Sequence, residues 1–520
     1  MTITQKIGQR FTAGLNGLEI TAELRRLVRE YQVGNVILFR ENLQSRSQAH
    51  ELCAAIQELV QEETGLPAFI SLDQEGGVVT RLPPDMVNVP GAMALAATGD
   101  TQAVYAAARI TIQELRSIGV NLNLAPVLDI NSQADNPVIG VRSFGADPQR
   151  VSEFAGAAIR AYRDEGFLCC GKHFPGHGDT SVDSHLALPR VDKTPAQLEA
   201  CELASFRAAV EQGIPAIMSS HILFPQLEPL NLPATMSRTI ITGLLKERMG
   251  FSGLVLSDAM EMNAIKEFYG VGQGCVESLA AGVDMVFVCH DPAQMETSLK
   301  AIATAYDTGR FDAAEFDASV EKIRRYKAQY APVPPAGGAA DPAANPAREN
   351  AALMRRTIAR ISAAGVTGAP WTAPPLGDNP FFAGCLPYRS TNAANKADTT
   401  LSFAPWFAQR FGGRWVENSL NPGEEEIAAI AAQASGASAL ILGTVNGHLY
   451  HGQLALAQAL SAVAAEGNIP LIAVALRNPY DLAAVPATAL RLAAWEYSPN
   501  SFAALEAVFR GEWSPMSGTV

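Results

Sequence analysis

The segment LCCGKHFPGHGDTSVDSH, residues 168–185, begins as an apolar run and continues as a polar loop. Residues 168–171 have the length and composition of a buried strand. A helix cannot follow them, because Pro175 and the nearby glycines would break it. Three of the eight histidines of the chain lie in this segment. Loops on a rigid scaffold concentrate binding and catalytic groups, so the segment predicts a functional site at the end of a strand.

The same alternation of short apolar runs with amphipathic segments continues along the first 330 residues. The amphipathic segments include residues 18–31, 46–61, 101–117 and 148–164. Eight apolar runs alternating with helices predict an α/β protein with a (β/α)8 TIM-type barrel that carries insertions. A doubly wound parallel sheet is the alternative. The candidate strands are residues 11–15, 35–39, 68–72, 122–128, 168–171, 216–219, 254–257 and 285–289.

Polar residues follow four of these runs directly. In a parallel barrel the carboxyl ends of the strands share one face, and that face holds the active site. We therefore expect these side chains to meet, although each of them alone would be weak evidence. They are Asp73, Gln74 and Glu75 after the third run, Lys172 and His173 after the fifth, Ser220 and His221 after the sixth, and Asp258 after the seventh.

The composition changes after residue 330. Residues 331–349 are rich in proline, alanine and glycine, which is typical of a linker. Beyond them, apolar runs at 439–442 and 470–476 alternate with helix-like segments at 424–434, 452–465 and 501–509. The sequence thus predicts a catalytic barrel over 1–330, a linker over 331–349 and a smaller α/β sandwich domain over 350–520.

Composition and charge exclude several classes of function. A formal charge of −13 argues against binding to nucleic acid or to anionic membranes, since both need a basic surface. Residues 1–6 show no signal peptide, and no run reaches the length of a membrane-spanning helix. Seven cysteines at irregular spacing predict reduced thiols. Together these features predict a cytoplasmic protein.

Two carboxylates and one histidine are the candidate catalytic groups. Asp258 ends an apolar strand, where it can attack an electrophilic carbon or, alternatively, cap a following helix. Asp183 lies two residues before His185, so in an extended loop the carboxylate can hold the imidazole as a general acid/base. A surface turn is the alternative interpretation for this pair.

Other polar residues admit both a binding role and a simpler one. Asp73, with the following glycine pair and Arg81, can hold sugar hydroxyls or form a capped turn. Arg142 lies in a turn-rich loop and is either a substrate clamp or a surface residue. His173 and His177, with Asp183 and His185, could ligate zinc, but the intervening Pro175 and Gly176 argue against it. We predict no metal and no cofactor.

The loop over 172–185 resembles the signature of the β-N-acetylglucosaminidase branch of glycoside hydrolase family 3. Ser257 and Asp258, with Met260 and Met262, resemble that family's nucleophile segment. Residues 73–77 and the turn at 142–144 are similar to two further family segments, in the same order. Residues 477–481 and 511–518 are similar to segments of the second domain of two-domain members.

The resemblance implies a role for each matching residue. Asp258 would be the nucleophile, and His185 the general acid/base with Asp183 as its partner. The residues that would hold the sugar hydroxyls are Asp73, Arg142, Lys172 and His173, with His221 and Met260 near the pocket. The implied activity is a retaining exo-β-N-acetylglucosaminidase. Its substrate would be a saccharide or muropeptide containing N-acetylglucosamine, most plausibly a fragment of peptidoglycan, and the enzyme would be a monomer or homodimer.

Four alternatives remain open at this point. Another member of the family, a β-glucosidase or β-xylosidase, would have the same catalytic set. A glycoside phosphorylase is a further possibility, because a neutral histidine repels an incoming phosphate less than a carboxylate does. A metal-dependent hydrolase would use His173, His177 and His185, and a sugar-binding protein without activity would tolerate the loss of Asp258.

Overall fold

The computed structural model describes residues 1–180, 188–331, 346–361, 372–388, 400–486 and 488–518. Within the described residues, eight parallel strands close into a barrel, which confirms the predicted (β/α)8 architecture. Every strand overlaps one of the eight predicted runs. The barrel strands are β1 (Phe11–Ala13), β2 (Asn35–Ile37), β3 (Phe69–Leu72), β4 (Leu122–Asn123), β5 (Leu168–Phe174), β6 (Ala216–Ser219), β7 (Leu254–Ala259) and β8 (Met285–Val288).

Several helices of this part of the chain begin at side-chain caps. Thr21, Ser45 and Asp147 each accept a hydrogen bond from the backbone N–H three residues later, which satisfies a helix-terminal donor. The helices are α1 (Ile3–Gln9), α2 (Ala22–Tyr31), α3 (Arg46–Thr64), α4 (Ala92–Ala97), α5 (Thr101–Ser117), α6 (Pro148–Asp164), α7 (Pro195–Ala200), α8 (Glu202–Glu211), α9 (Asn263–Lys266), α10 (Val271–Ala281), α11 (Pro292–Asp307) and α12 (Ala313–Tyr330), with a π-helical segment at Thr239–Arg248 and single 3-10 turns at Arg40–Asn42, Gly140–Arg142 and Ala234–Met236.

Strand β4 is shorter than the predicted run over 122–128. Pro126 lies in that run and has no backbone N–H to give to a ladder. The chain nevertheless stays attached to β5: Cys170 N donates to the Ala125 carbonyl, and Leu128 N donates to the Lys172 carbonyl at 2.7 Å. This irregular pairing carries the chain beyond β4 along the same edge of β5, and it delivers the residues after Leu128 to the carboxyl end of the barrel.

Apolar side chains fill the barrel interior. Alternate residues of β7 and β8 point inward, as the two-residue period of a strand requires. Ile323 of α12 packs against the same cluster. The inward set includes Leu168, Cys170, Leu254, Leu256, Met285 and Phe287. The barrel is therefore a packed core that holds the strand ends in fixed positions, as in other (β/α)8 folds.

A second compact unit contains residues 346–520, together with Val89–Ala103 and Gly140–Arg142. Its described strands form a sheet in the order β11-β10-β12-β13-β14-β9-β15. Only β9 runs antiparallel to its neighbour β14. The strands are β9 (Ala359–Ile361), β10 (Phe381–Cys385), β11 (Arg414–Asn418), β12 (Leu440–Thr444), β13 (Leu471–Ala475), β14 (Leu490–Ala493) and β15 (Met516–Gly518).

The helices of the second unit pack an aromatic core onto this sheet. Phe403, Phe407 and Phe502 are completely buried, and their rings meet at tilted or edge-to-face angles with centroids 4.8–5.7 Å apart. The predicted α/β character of the second domain is confirmed. Residues 332–345, which make up most of the predicted linker, lie outside the described residues. The helices are α13 (Pro346–Thr357), α14 (Phe403–Phe411), α15 (Glu424–Ala434), α16 (Gly452–Gly467) and α17 (Pro499–Phe509), with a 3-10 turn at Pro479–Ala483.

The length and hydropathy of the described helices bear on membrane crossing. None of them combines the length and the apolar character that crossing a bilayer requires.

Candidate active site

Polar side chains gather at the carboxyl ends of five consecutive barrel strands. Because the strands are parallel and the barrel is closed, these ends lie on one face, where the active sites of (β/α)8 proteins are found. The residues are Asp73 after β3, Asp129 after β4, Lys172 and His173 in β5, His221 after β6 and Asp258 in β7.

Asp73 and Lys172, two predicted site residues that lie 99 positions apart, form an ion pair. Lys172 Nζ lies 2.6 Å from Asp73 Oδ1 and 2.6 Å from Glu75 Oε1. Arg81 Nη2 approaches the other Asp73 oxygen at 3.5 Å. Burial alone would raise the pKa of Asp73, but the Lys172 and Arg81 cations hold it below its ordinary value. Asp73 is therefore an ionised acceptor held between two donors.

The turn that follows β3 fixes this carboxylate. Gly77 has φ +55°, a left-handed conformation that glycine adopts without strain. Gln74 N donates to Asn123 Oδ1 at 3.0 Å, and Asn123 Nδ2 returns a bond to the Gln74 carbonyl at 2.9 Å. Gln74 Oε1 also accepts from the hydroxyl of Thr80 at 2.9 Å. The turn is tied at both ends to the barrel and to itself, so Asp73 has little freedom to move.

Asp129 is a buried carboxylate of the site that the sequence interpretation did not include. Its Oδ2 lies 2.6 Å from Nδ1 of His173, and its Oδ1 accepts from the backbone N–H of His177 at 2.7 Å. Burial tends to raise the pKa of Asp129, but the two nearby imidazoles, the hydrogen bond with the His173 ring and the one from the His177 backbone N–H keep it below its ordinary value. In the sequence, the feature that could have assigned Asp129 to the site is its position directly after the predicted fourth strand.

The loop that follows β5 packs closely onto the loop after β4. His177 Nδ1 lies 2.9 Å from the hydroxyl of Thr180, and the rings of His173 and His177 meet edge to face at 5.6 Å. A Cβ atom on Gly178 would lie 1.6 Å from the Ile130 carbonyl oxygen. Only glycine therefore permits this approach, and the loop cannot shift outward without losing its hydrogen bonds.

Asp258 and His221 lie together at the ends of β7 and β6. Asp258 Oδ1 accepts from the backbone N–H of Ala259 at 2.7 Å, and His221 Nε2 lies 3.0 Å from the Ala259 carbonyl oxygen. A carbonyl oxygen only accepts, so His221 carries a proton on Nε2. Asp258 is half-buried, whereas the apolar residues of β7 before it are completely buried.

The pKa values of two buried thiols respond to both Asp258 and Asp73. Burial raises the pKa of Cys170 and of Cys289 well above its ordinary value, and the Asp73 and Asp258 carboxylates add to the rise at both thiols. A carboxylate must be close to a buried thiol to act on it in this way. The two aspartates therefore face the same region at the mouth of the barrel.

The remaining predicted site residues differ in their surroundings. Met260 is completely buried, and its sulfur lies 3.9 Å from the hydroxyl of Ser278 in α10. Arg142 is buried in the second compact unit. Asp183 and His185 lie outside the described residues, between Asp179 and Lys193, whose side chains form an ion pair at 3.3 Å.

Metal binding requires several ligating side chains close together. They include no group of three or more His, Cys, Asp or Glu residues arranged to hold a metal ion. His173 and His177 each use Nδ1 for an oxygen partner, Asp129 and Thr180 respectively. The seven cysteines form no disulfide within the structure, and Cys201 is the one that is not buried.

Comparison with known proteins agrees with this geometry. The model of the glycosyl hydrolase family 3 N-terminal domain matches residues 2–326, which is more than half of the chain. The chain belongs to glycosyl hydrolase family 3. The family inferred from the loop over 172–185 and from the Asp258 segment is thus confirmed.

Individual proteins of known name are also similar to this chain. Beta-hexosaminidase A of Pseudoalteromonas piscicida is 36% identical over 328 residues, which are 59% of this chain and 55% of that protein, so the chain spans about half the length of this relative. A beta-hexosaminidase of Pseudomonas aeruginosa is 34% identical over 289 residues, 55% of this chain and 84% of that protein. The structure of a glycoside hydrolase family 3 beta-N-acetylglucosaminidase from a Paenibacillus species is similar over 100% of both chains, with 36% identity and a TM-score of 0.86.

Proposed function

We propose that this family 3 protein is an exo-acting β-N-acetylglucosaminidase that releases terminal β-linked N-acetylglucosamine with retention of configuration. The observation that carries the proposal is the position of Asp258 at the end of β7, on the same face of the closed parallel barrel as the ion pair of Asp73 and Lys172. The likeness to the Paenibacillus β-N-acetylglucosaminidase along the whole chain supports the choice of sugar.

The proposed reaction has two displacements. Asp258 attacks the anomeric carbon while the general acid protonates the departing glycosidic oxygen, which leaves a covalent glycosyl-enzyme. The same group, now a base, deprotonates a water molecule that attacks the anomeric carbon and frees Asp258. Two inversions give net retention. The assignment of the acid/base to His185, with Asp183 as its partner, rests on the family resemblance.

The ion pair of Asp73 and Lys172 fits the role of a sugar clamp. An ionised carboxylate accepts hydrogen bonds from hydroxyl groups, and an ammonium group donates to hydroxyl oxygens. Because Lys172 is already desolvated and held by two carboxylates, it loses little freedom when a sugar binds. We assign His173 and His221 to the same pocket, and Met260 to its surroundings, whereas a role of Arg142 in sugar binding rests on the family resemblance alone.

The natural substrate is proposed from the chemistry of the sugar. Peptidoglycan fragments carry terminal β-linked N-acetylglucosamine, so saccharides and muropeptides of this kind are the proposed substrates of a cytoplasmic enzyme. The reaction needs no cofactor, since the carboxylate and the acid/base supply the chemistry.

The proposal is tested by hydrolysis of an aryl β-N-acetylglucosaminide beside an aryl β-glucoside and an aryl β-xyloside. We expect cleavage of the acetamido sugar and a loss of about 10⁴-fold or more in kcat for Asp258→Asn, because an amide is not a nucleophile. Asp291→Asn is the matched control, since Asp291 caps α11 on an exposed surface and should leave kcat unchanged. Full activity of Asp258→Asn would contradict the proposal.

The same assay separates the alternatives. Preferential cleavage of the glucoside or xyloside would assign another sugar to the pocket. Sugar 1-phosphate formed in phosphate buffer would identify a phosphorylase, and loss of activity with a chelator would identify a metal-dependent hydrolase. An inert protein that still binds N-acetylglucosamine would be a binding protein without catalysis.

A further inference from the structure

Asp129, which was not among the predicted site residues, engages both of its carboxylate oxygens in short polar contacts. Its carboxylate is completely buried. Oδ1 accepts from His177 N at 2.7 Å and from His173 N at 3.1 Å, and Oδ2 lies 2.6 Å from His173 Nδ1. Both oxygens of one aspartate therefore face the five-residue stretch from His173, near the end of β5, to His177 in the loop that follows.

The protonation state of Asp129 decides the tautomer of His173. Despite its burial, the carboxyl has a pKa below its ordinary value, because His173 and the hydrogen bonds from the His173 ring and the His177 backbone N–H stabilise its charged form, so at neutral pH it is ionised and can only accept hydrogen bonds. The short contact at 2.6 Å thus requires a proton on His173 Nδ1. In the neutral ring, Nε2 is then a lone-pair acceptor that points away from Asp129.

We propose that Asp129 is a positioning residue for sugar binding, which fixes His173 as the Nδ1-protonated form so that Nε2 accepts a hydrogen bond from a sugar hydroxyl. The inference rests on the proposed function, because it takes the pocket beside His173 to be a sugar site. It assigns to Asp129 a role exerted through His173, with no direct contact to the substrate.

An asparagine at this position separates positioning from folding. The amide oxygen of Asp129→Asn can still accept the backbone N–H groups of His173 and His177, so the loop keeps its anchors. The amide nitrogen then faces His173 Nδ1 and donates to it, which moves the imidazole proton to Nε2. His173 Nε2 would then donate a hydrogen bond into the pocket, whereas in the wild type it accepts one.

The experiment combines a spectrum with kinetics. In protein labelled with ¹⁵N-histidine, the side-chain nitrogen shifts of His173, assigned by comparison with His173→Ala, report which nitrogen lacks a proton. We expect the lone-pair nitrogen to change from Nε2 in the wild type to Nδ1 in Asp129→Asn. We also expect kcat/KM for the aryl β-N-acetylglucosaminide to fall about 10- to 100-fold, mainly through KM.

Two controls exclude a general structural effect. Asp284→Asn changes another buried aspartate that accepts a backbone N–H, at 2.8 Å from Val255, at the amino end of β8. It should leave the His173 spectrum and KM as in the wild type. In a His173→Ala background, Asp129→Asn should lower kcat/KM less than threefold, because the residue through which Asp129 acts is gone.

The spectrum tests the tautomer of His173, and the kinetics test its role in sugar binding. An unchanged His173 tautomer in Asp129→Asn would overturn the inference, and so would a changed tautomer with wild-type KM. The spectrum needs no substrate, so it judges the tautomer assignment even if the wild type cleaves no aryl β-N-acetylglucosaminide. A wild type that cleaves no aryl β-N-acetylglucosaminide would refute the proposed function. In that case, unaltered binding of N-acetylglucosamine to Asp129→Asn would contradict the positioning role of Asp129.

Discussion

Replacing Lys172 with methionine should destabilise the barrel, and the loss should depend on pH. The substitution keeps the length of the side chain but removes a buried charge that lies 2.6 Å from both Asp73 and Glu75. Removing one partner of a buried ion pair costs about 3–5 kcal/mol. Arg81 still lies 3.5 Å from Asp73, so we expect the lower end, about 3 kcal/mol at neutral pH.

The pH dependence follows from the direction of the pKa shift. Burial raises the pKa of Asp73, but Lys172 and Arg81 together hold it below 3.8 in the folded protein. A carboxyl with a lowered folded-state pKa contributes stability above its unfolded pKa, and this stability is lost as the pH falls through the folded value. In Lys172→Met the folded pKa rises, and protonation of the carboxyl relieves the unpaired charge. The difference in free energy of unfolding should therefore shrink as the pH falls from about 7 to about 4.

Urea unfolding of both proteins at about pH 7 and about pH 4, followed by circular dichroism, measures this difference. Lys6→Met is the control, because Lys6 pairs with Asp317 at an exposed site and should contribute little. A loss below about 1 kcal/mol at neutral pH, or a loss equal at both pH values, would refute the reasoning.

Two further predictions concern the loop after β5 and the second unit. Gly178→Ala should lower kcat/KM about 100-fold, because its Cβ would lie 1.6 Å from the Ile130 oxygen and push the loop away; Gly423→Ala, with open space around its Cβ, is the kinetic control. Burial raises the pKa of Glu496 to about 7, so the stability that depends on this carboxyl falls as the pH rises from 4.5 to about 7. Relative to the wild type, Glu496→Gln should then gain about 3 kcal/mol in free energy of unfolding between pH 4 and pH 8, and equal values at both would contradict this.

The barrel was predictable because its strands are short apolar runs with polar residues at one end. That rule located Asp73, Lys172, His221 and Asp258 at the barrel mouth. It applies equally to Asp129, which directly follows the predicted run over 122–128. Asp129 lacks a neighbouring histidine or glycine motif in the sequence, and its partner His173 is 44 residues away, so only the fold shows the contact.

Several strands of the second unit could not be predicted from apolar periodicity. β11 lies at one end of the sheet order, and most of its side chains are at least partly exposed. β9 and β15 are three residues long, too short for a pattern to be read. By contrast, the predicted segments at 424–434 and 439–442 correspond to α15 and β12, because a long helix and a central parallel strand carry strong apolar signals.

The sequence also could not show which part of the fold each loop residue packs against. Arg142 follows the fourth barrel strand in the chain, yet Gly140–Arg142 packs with the second compact unit. Asn478 explains part of this: its Oδ1 accepts from the Val141 backbone N–H at 2.9 Å, a contact across 337 positions. Met260 likewise has the spacing of a pocket residue but packs against Ser278 of α10.

The most direct test of the central claim is to trap the covalent intermediate. A 5-fluoro-N-acetylglucosaminyl fluoride slows both displacements, and the slower second step allows the glycosyl-enzyme to accumulate. Peptide mass mapping after quenching should find one fluorosugar bound to Asp258, in a peptide from residues 254–262, and no adduct on Asp258→Asn. A label on another carboxylate, or turnover of the fluoride with inversion and without any adduct, would contradict the assignment of Asp258 as the nucleophile.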